Sequence, residues 1–222
     1  ASVARRFADR GPALETIHIK LLGVGSLLLG LRLALTWVQF RQDKVRKKIV
    51  DLADAGIVAV VITLILVTFV FRVSQVQGES MSPTLRDGQL TLVNLLSYHM
   101  HAPQRGDIIV FRAPTERRFD YVKRIVGLPR DTVEIRHGTT YLNGLRIEEP
   151  YADPAEDQPD LPKVKLGPGQ FFVMGDNRGN STDSRHFGPV AMDRIFGKDA
   201  FILWPASEAG RIPEQHTRFA RN

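Results

Sequence analysis

The distribution of apolar residues predicts a membrane helix in the first third of the chain. Residues 55–71 read AGIVAVVITLILVTFVF and hold 17 residues without a charge. As an α-helix this run is about 26 Å long at about 1.5 Å per residue, which approaches the hydrocarbon thickness of about 30 Å. The alternative is a buried core helix, but the run is apolar on every face and rich in Val and Ile, which favours a membrane span. We therefore predict a transmembrane helix over 55–71.

A second apolar segment, residues 21–40, comes before this helix and contains Arg32. A central arginine costs about 2.5–3.5 kcal/mol on the membrane-insertion scale, and each leucine returns about 0.3–0.6 kcal/mol. The many leucines of this segment offset one arginine, so we predict a first membrane helix over 21–40. The alternative is a helix that lies in the membrane interface.

The charges around these segments predict an orientation. A basic loop, 41–54, joins them, and its first eight residues, RQDKVRKK, include five cationic side chains. The positive-inside rule places this loop in the cytoplasm, so the second helix runs outward and the residues after Arg72 lie outside. The N-terminal tail, 1–20, carries three arginines, which favours a cytoplasmic tail and conflicts with a first span. The strongest apolar run is long and internal, so a cleavable signal peptide is not predicted.

After residue 72 the pattern changes to short runs rich in Val, Ile and Phe, separated by turn residues. Such runs predict strands, and they lie at 107–113, 119–127, 131–138, 169–176 and 198–205. Asn143-Gly144 is the strongest two-residue signal for a β-hairpin, and 92–99 suits a short helix. We predict a mostly β exported domain over 72–205.

Two further segments are polar. Residues 148–168 are rich in proline and acidic side chains, which predicts a surface insertion without a functional site. Residues 206–222 have scattered arginines, which predicts a loose C-terminal tail.

Composition excludes several kinds of site. The chain has no cysteine, so it has no disulfide, no thiolate nucleophile and no Cys-ligated metal. The formal net charge of +6 could suggest nucleic-acid binding. The cationic run at 41–48 is better explained by membrane topology, and the aromatic residues do not interleave with basic ones as a stacking surface requires. We expect no nucleic acid, metal or cofactor.

Ser80, in the stretch QGESMSPTLRDG at 77–88, is a candidate nucleophile. Its surroundings, GESMS, do not form the G-x-S-x-G nucleophile elbow, and the chain contains no S-x-x-K motif. Six histidines make a Ser-His-Asp arrangement possible on composition alone.

Lys123 is a candidate base for this serine. In the predicted strand 119–127, alternation places it on an otherwise apolar or aromatic face, with Arg124 and Asp120 on the opposite face. A lysine in a strand usually extends to water at the sheet edge. The alternative is a buried, neutral lysine, because burial in apolar surroundings lowers a lysine pKa by up to about 3–5 units. A neutral lysine is a competent general base.

Four motifs occur in one order along the chain and resemble the signature boxes of type I (leader) signal peptidases. They are GESMSPTL at 78–85, RGDIIVF at 105–111, YVKRIVGLPRD at 121–131 and GDNRGNSTDSR at 175–185. The resemblance covers about residues 58–203 and includes the membrane helix before the first motif. It implies a signal-peptidase-like β fold, signal peptides of exported preproteins as substrates, and a place in the inner (plasma) membrane with the catalytic domain on the extracytoplasmic side.

The resemblance also implies roles for particular residues. Ser80 matches the family's nucleophile and Lys123 its general base, and the Ser80 backbone N–H is similar to one donor of the oxyanion hole. Some members carry a second, side-chain donor where this chain has Gly78. Residues matched to supporting or substrate-binding positions are Ser181, which would orient the lysine amine, Asp183 and Arg185, which would form an ion pair, and Met81, Leu85, Tyr121 and Val122, which would lie near the pocket for the residue before the scissile bond.

Three alternative functions compete with this one. A self-cleaving repressor-type protease shares Ser-Lys chemistry by analogy, but it needs a DNA-binding domain and a cleavable linker. An inactive membrane-anchored β-module would bind secreted chains without cutting them. A membrane-anchored nucleic-acid-binding protein would use the basic run.

Overall fold

The computed structural model describes residues 12–37, 43–114, 120–153, 158–215 and 217–220. The chain divides into two compact units, Ala1–Val73 and Ser74–Asn222. The first is helical and the second is mostly β.

The helical unit contains α1 (Pro12–Trp37) and α2 (Asp43–Ile65), which continues as a π-helical turn, Leu66–Val70. Most of the predicted basic loop therefore belongs to α2, because no Pro or Gly interrupts helix formation between Asp43 and Asp54. Within the described residues, one segment, Lys47–Val70, is long and apolar enough to cross a membrane by length and composition.

α1 and α2 pack closely against each other. The Arg32 Nε donates a hydrogen bond to the Asp54 Oδ1 at 2.6 Å. A Cβ added at Gly56 would lie 3.1 Å from Leu28, so this glycine permits the close approach of the two helices. The predicted first membrane helix, 21–40, falls on α1 as far as Trp37, and its last three residues lie outside the described ranges. That it crosses the membrane stays a prediction.

The β unit contains two sheets. The strands are β1 (Phe71–Gln75), β2 (Leu90–Asn94), β3 (Ile108–Arg112), β4 (Asp120–Gly127), β5 (Thr132–Arg136), β6 (Thr139–Leu142), β7 (Leu145–Glu148), β8 (Leu161–Lys165), β9 (Gln170–Met174), β10 (Val190–Ala191), β11 (Ile195–Trp204), β12 (Gly210–Arg211) and β13 (Arg218–Phe219). Within the described residues the larger sheet has eight strands in the order β1-β2-β11-β3-β4-β9-β10, with β12 paired to β11. The smaller sheet has five strands in the order β13-β7-β6-β5-β8.

Short helices connect some of these strands. α3 (Ser97–Met100) follows β2, α4 (Ser184–Phe187) follows β9, and a 3-10 turn (Met192–Arg194) precedes β11.

The five predicted strands are present, as β3, β4, β5, β9 and β11. The predicted hairpin is present as well: Leu142 pairs with Leu145, and Asn143 and Gly144 have φ of 55° and 84°. Both positive φ values fit a type I′ turn, which is the turn that an Asn-Gly pair favours.

The segment 92–99 was wrongly predicted as one short helix. Its first part belongs to β2, in which Thr91 and Val93 are buried and alternate with more exposed neighbours. The helical part is α3 alone. A strand forms here because this alternation buries one face against the sheet.

Two segments predicted to lie outside the fold contribute to it. Within 148–168, β8 pairs with β5, and Leu166 is buried. Within 206–222, β12 pairs with β11, β13 pairs with β7, and Ile212 is buried. Single apolar side chains among polar residues anchor these segments. Their strands were not predicted, because the high content of proline and charged residues is typical of surface loops.

β4 lies between β3 and β9 in the larger sheet. Its residues from Lys123 to Gly127 are all buried, so both faces of this strand are covered. Ile109 and Ile125 belong to the apolar cluster on one face, and Ile108, Met81 and other residues belong to the cluster on the other. The strand therefore places the side chains of Lys123 and Arg124 in a dry interior.

Candidate active site

Ser80 and Lys123 are in direct contact in the β unit. Ser80 lies in the turn between β1 and β2, and Lys123 lies in β4. The Lys123 Nζ donates to the Ser80 Oγ at 2.7 Å and to the Val122 carbonyl at 2.9 Å. Lys123 is 4% exposed, so the buried reading of this lysine is confirmed and the sheet-edge reading is wrong.

Burial changes the chemistry of this amine. It lowers the pKa of Lys123 to about 8, an effect that the carboxylates of Asp183 and Asp176 oppose and the Arg185 guanidinium reinforces. The Tyr121 ring centre lies 5.4 Å from the Nζ. At pH 7.4 a pKa of about 8 leaves about one lysine in five neutral, against about one in a thousand for a free lysine. A neutral amine at hydrogen-bond distance can accept the serine proton.

The turn that carries Ser80 is held by its own backbone. Gly78 has φ of 83°, which a residue with a side chain rarely adopts, and its N–H donates to the Asp87 Oδ1 at 2.7 Å. The Leu85 N–H donates to the Met81 carbonyl at 2.9 Å. The Ser80 N–H has no hydrogen-bond partner among the described residues. It therefore remains available to a ligand.

Gly175, directly after β9, forms the surface against which Ser80 rests. A Cβ at this position would collide with the Ser80 carbonyl oxygen and with the Ser181 side chain. The adjacent backbone fixes the same carbonyl, because the Asn177 N–H donates to it at 3.1 Å. The sequence reasoning missed Gly175, although it begins the GDNRGNSTDSR motif.

Asp183 is the centre of the supporting residues. Its carboxylate accepts from the Arg185 Nε at 2.8 Å and NH2 at 2.7 Å, from the Ser181 hydroxyl at 2.8 Å and from the Gly175 N–H at 3.0 Å. Burial alone would raise the pKa of this carboxyl, but the hydrogen bonds and charge of Arg185 outweigh burial and lower it. The predicted contact between Asp183 and Arg185 is therefore present. The hydroxyl of Ser181 donates to Asp183, so its predicted action on the lysine amine stays a prediction.

A second buried ion pair lies beside Ser80 and Lys123, and it was not predicted from the sequence. Arg124 bonds Asp176 through its Nε at 2.8 Å and its NH2 at 2.6 Å, and both side chains are almost fully buried. The Thr84 hydroxyl, in the Ser80 turn, donates to the same carboxylate at 2.5 Å. The position of Arg124, next to Lys123 in a mostly apolar strand, was the feature of the sequence that could have predicted this pair. A charge buried there needs a partner, because an unpaired one is strongly destabilising.

Three of the four residues predicted to lie near the substrate pocket belong to one apolar cluster or pack against it. Met81 and Leu85 are buried in one apolar cluster, and Val122 packs against it. Tyr121 packs against the other cluster, near Phe111 and Phe187. The side chains of Tyr121 and Val122 therefore point to opposite faces of β4, and their place near the substrate pocket stays a prediction.

Comparison with known proteins identifies the family. Residues 49–204 match the family model described as signal peptidase, peptidase S26. The chain belongs to this family. It is 42% identical over 161 residues to the signal peptidase I of Bacillus caldolyticus, a match that covers 67% of this chain and 87% of the relative.

Two further relatives are similar to this chain. The signal peptidase IB of Staphylococcus aureus strain COL is 37% identical over 180 residues, covering 73% of this chain and 93% of the relative. The crystal structure of a signal peptidase I from Enterococcus faecalis V583 is 34% identical, covers 44% of this chain and 97% of that chain, and has a TM-score of 0.40.

Proposed function

We propose that this chain is a membrane-anchored serine endopeptidase that removes N-terminal signal peptides from exported preproteins. Ser80 is the nucleophile and Lys123 the general base. The observation that carries this proposal is the 2.7 Å contact between the Lys123 Nζ and the Ser80 Oγ, made by a buried lysine with a lowered pKa. Membership of the signal peptidase family and relatives named signal peptidase I and IB support the substrate class.

Acylation begins with neutral Lys123. Its Nζ takes the proton of the Ser80 hydroxyl while the Ser80 Oγ forms a bond to the scissile carbonyl carbon. The negative charge that develops on the substrate oxygen is stabilised by the Ser80 N–H, which is free to donate. The protonated Lys123 then gives its proton to the leaving amine, and the peptide C–N bond breaks. The products are an ester on Ser80 and the released mature chain.

In deacylation, Lys123 activates a water molecule in the way that it activated the Ser80 hydroxyl. Lys123, neutral again, takes a proton from a water molecule whose oxygen attacks the ester carbonyl. The proton then passes to the Ser80 oxygen as the ester bond breaks, and the signal peptide leaves with a new carboxylate. One lysine therefore serves both half-reactions.

The residues around the dyad have supporting roles in this proposal. Asp183 and Arg185 fix the charge near Lys123, and Ser181 completes the hydrogen bonding of Asp183. Met81 and Leu85 pack beneath the Ser80 turn and shape the pocket for the small residue before the scissile bond. We also place Tyr121 and Val122, the two residues before Lys123 in β4, near this pocket.

The helical unit anchors the enzyme in the proposed topology. α2 crosses the plasma membrane from the basic loop outward, and the β unit is extracytoplasmic. We include α1 as a second membrane helix. Arg32 is neutralised by Asp54 at 2.6 Å, which offsets its insertion cost, and Gly56 allows the close packing common between membrane helices.

The test is cleavage of one preprotein with an A-x-A site by the full chain in detergent. Ser80→Ala and Lys123→Ala are compared with wild type, with Ser82→Ala and the exposed Lys163→Ala as matched controls. We expect wild type and controls to cut after the final Ala, and both dyad variants to lose at least about 10³-fold in rate.

Two results would contradict the proposal. Cleavage by Ser80→Ala would remove the nucleophile assignment and favour a histidine-based site. Failure of wild type to cut a substrate that another signal peptidase processes in parallel would favour the inactive β-module.

A further inference from the structure

A short segment after β7 contacts the active site from outside the four motifs. The Glu149 carboxylate accepts from the Arg178 NH1 and NH2, both at 2.7 Å. The two side chains are 8% and 4% exposed. Burial alone would raise the pKa of Glu149, but the hydrogen bonds and charge of Arg178 outweigh burial and lower it. The pair is therefore charged, bidentate and out of water.

Arg178 connects Glu149 to the backbone of Gly175, which contacts Ser80. Its Nε donates to the Gly175 carbonyl at 3.0 Å. The Gly175 N–H donates to the Asp183 Oδ2, also at 3.0 Å. Gly175 is thus held on both sides, and the space at its Cα is filled by the Ser80 carbonyl and Ser181. A shift of Gly175 would displace Ser80.

Tyr151 ties the same segment to the second buried ion pair. Its hydroxyl donates to the Glu149 Oε1 at 2.9 Å, and its ring lies 4.1 Å from the Arg124 guanidinium carbon. Arg124 bonds Asp176, the residue after Gly175. The Asp153 N–H, two residues beyond Tyr151, donates to the Asp176 carbonyl at 2.8 Å.

We propose that Glu149, assisted by Tyr151, is a positioning residue that sets the place of Ser80 relative to Lys123 through Arg178 and Gly175. It touches neither the substrate nor the reacting atoms. This proposal rests on the peptidase activity proposed above. A displacement of about 1 Å at a reacting group can lower the rate about 10²-fold. We therefore expect loss of Glu149 to act on kcat, with KM little changed.

Glu149→Gln tests the proposal, and Glu148→Gln is the matched control because Glu148 is the exposed neighbour. The measurements are kcat and KM for an A-x-A peptide, and the thermal unfolding midpoint of each variant. We expect Glu149→Gln to lose about 10- to 100-fold in kcat at a temperature where it is folded, Tyr151→Phe to lose less, and Glu148→Gln to match wild type. Wild-type kcat in folded Glu149→Gln would overturn the proposal.

A second variant separates position from stability. Glu149→Met with Arg178→Met replaces the buried pair by apolar side chains, which is often neutral or stabilising. It cannot restore the Arg178 bond to the Gly175 carbonyl, so we expect a recovered unfolding midpoint with kcat still low. Recovery of kcat together with stability would show a purely structural role and overturn the proposal. Inactive wild type would instead count against the proposed function itself.

Discussion

At the scale of single residues, we expect Lys123 to set the pH at which the enzyme works. In the proposed mechanism its neutral amine is the base, and burial lowers its pKa to about 8. We expect kcat/KM to rise about tenfold per pH unit below pH 8 and to level off above it. Initial rates between about pH 6 and 10, with unfolding monitored at each pH, provide the measurement. A flat profile in a regime where chemistry limits the rate would contradict a neutral lysine base.

The charges beside Lys123 make a sharper prediction because their effects have opposite signs. Asp183 raises the pKa of Lys123 and Arg185 lowers it. Arg185→Gln leaves the carboxylate of Asp183 without its partner, so the midpoint of the pH profile is expected to move above 8. Asp183→Asn leaves the guanidinium without its partner, so the midpoint is expected to move below 8.

The direction of the midpoint is the readout for these two variants. Arg185 also donates to the Arg178 carbonyl, and Asp183 accepts from the Gly175 N–H, so the maximal rate is expected to fall in each variant. Structural damage alone predicts no opposite displacement. Midpoints that move together, or remain at that of wild type, would refute the electrostatic account of Lys123.

At the scale of elements, β11 carries a buried carboxyl that the proposed chemistry does not use. Asp199 is 2% exposed, and hydrogen bonding from Thr91 and the Ala200 N–H only partly offsets the cost of burying its charge. Burial raises the pKa of Asp199 to about 7. The folded chain therefore binds this proton more tightly than the unfolded chain, and stability falls as the pH rises from about 4 to about 7.

Replacement of Asp199 is expected to stabilise the protein in a pH-dependent way. Asp199→Asn should raise the free energy of unfolding by about 1–4 kcal/mol at pH 8, where the wild-type carboxylate is charged, and change it little at pH 4. Denaturant unfolding at both pH values measures this, with the exposed Asp193→Asn as control. An equal effect at both pH values would contradict a buried charge as the cause.

The elements also show what local sequence could predict. The Asn143-Gly144 hairpin depends on two adjacent residues, and β4 depends on one continuous run of eight, so both were visible in the sequence. β8 and β13 are short and depend on pairing with β5 and β7, which local pattern does not encode.

The candidate site likewise combines residues that local sequence predicts with contacts that depend on long-range packing. Ser80 and Lys123 were found through motifs. The bonds between Arg124 and Asp176, and between Arg178 and Glu149, join residues 52 and 29 positions apart. These two contacts could not be predicted from local sequence, because only the folded chain brings their residues together. The position of Gly175 against Ser80 is likewise a property of packing, since a glycine in a motif does not show which atom occupies its open side.

At the scale of the whole molecule, the number of membrane crossings decides where the N-terminal tail lies. If both α1 and α2 cross, the tail is extracytoplasmic together with the β unit. The chain has no cysteine, so a single introduced cysteine reports on its own surroundings. In intact spheroplasts, a membrane-impermeant maleimide is expected to label Ser2→Cys and the exposed Lys163→Cys, and to label Lys44→Cys only after permeabilisation.

The ion pair between α1 and α2 makes this topology depend on charge. Asp54→Leu leaves Arg32 unpaired at an insertion cost of about 2.5–3.5 kcal/mol, so labelling of Ser2→Cys is expected to fall. Adding Arg32→Leu removes the remaining charge and is expected to restore labelling. Lys163→Cys in the same backgrounds serves as control, because neither substitution changes the apolar run 55–71. Unchanged labelling in Asp54→Leu would show that the Arg32–Asp54 contact is not needed for insertion, and an unlabelled Ser2→Cys in the otherwise wild-type chain would leave α1 in the interface.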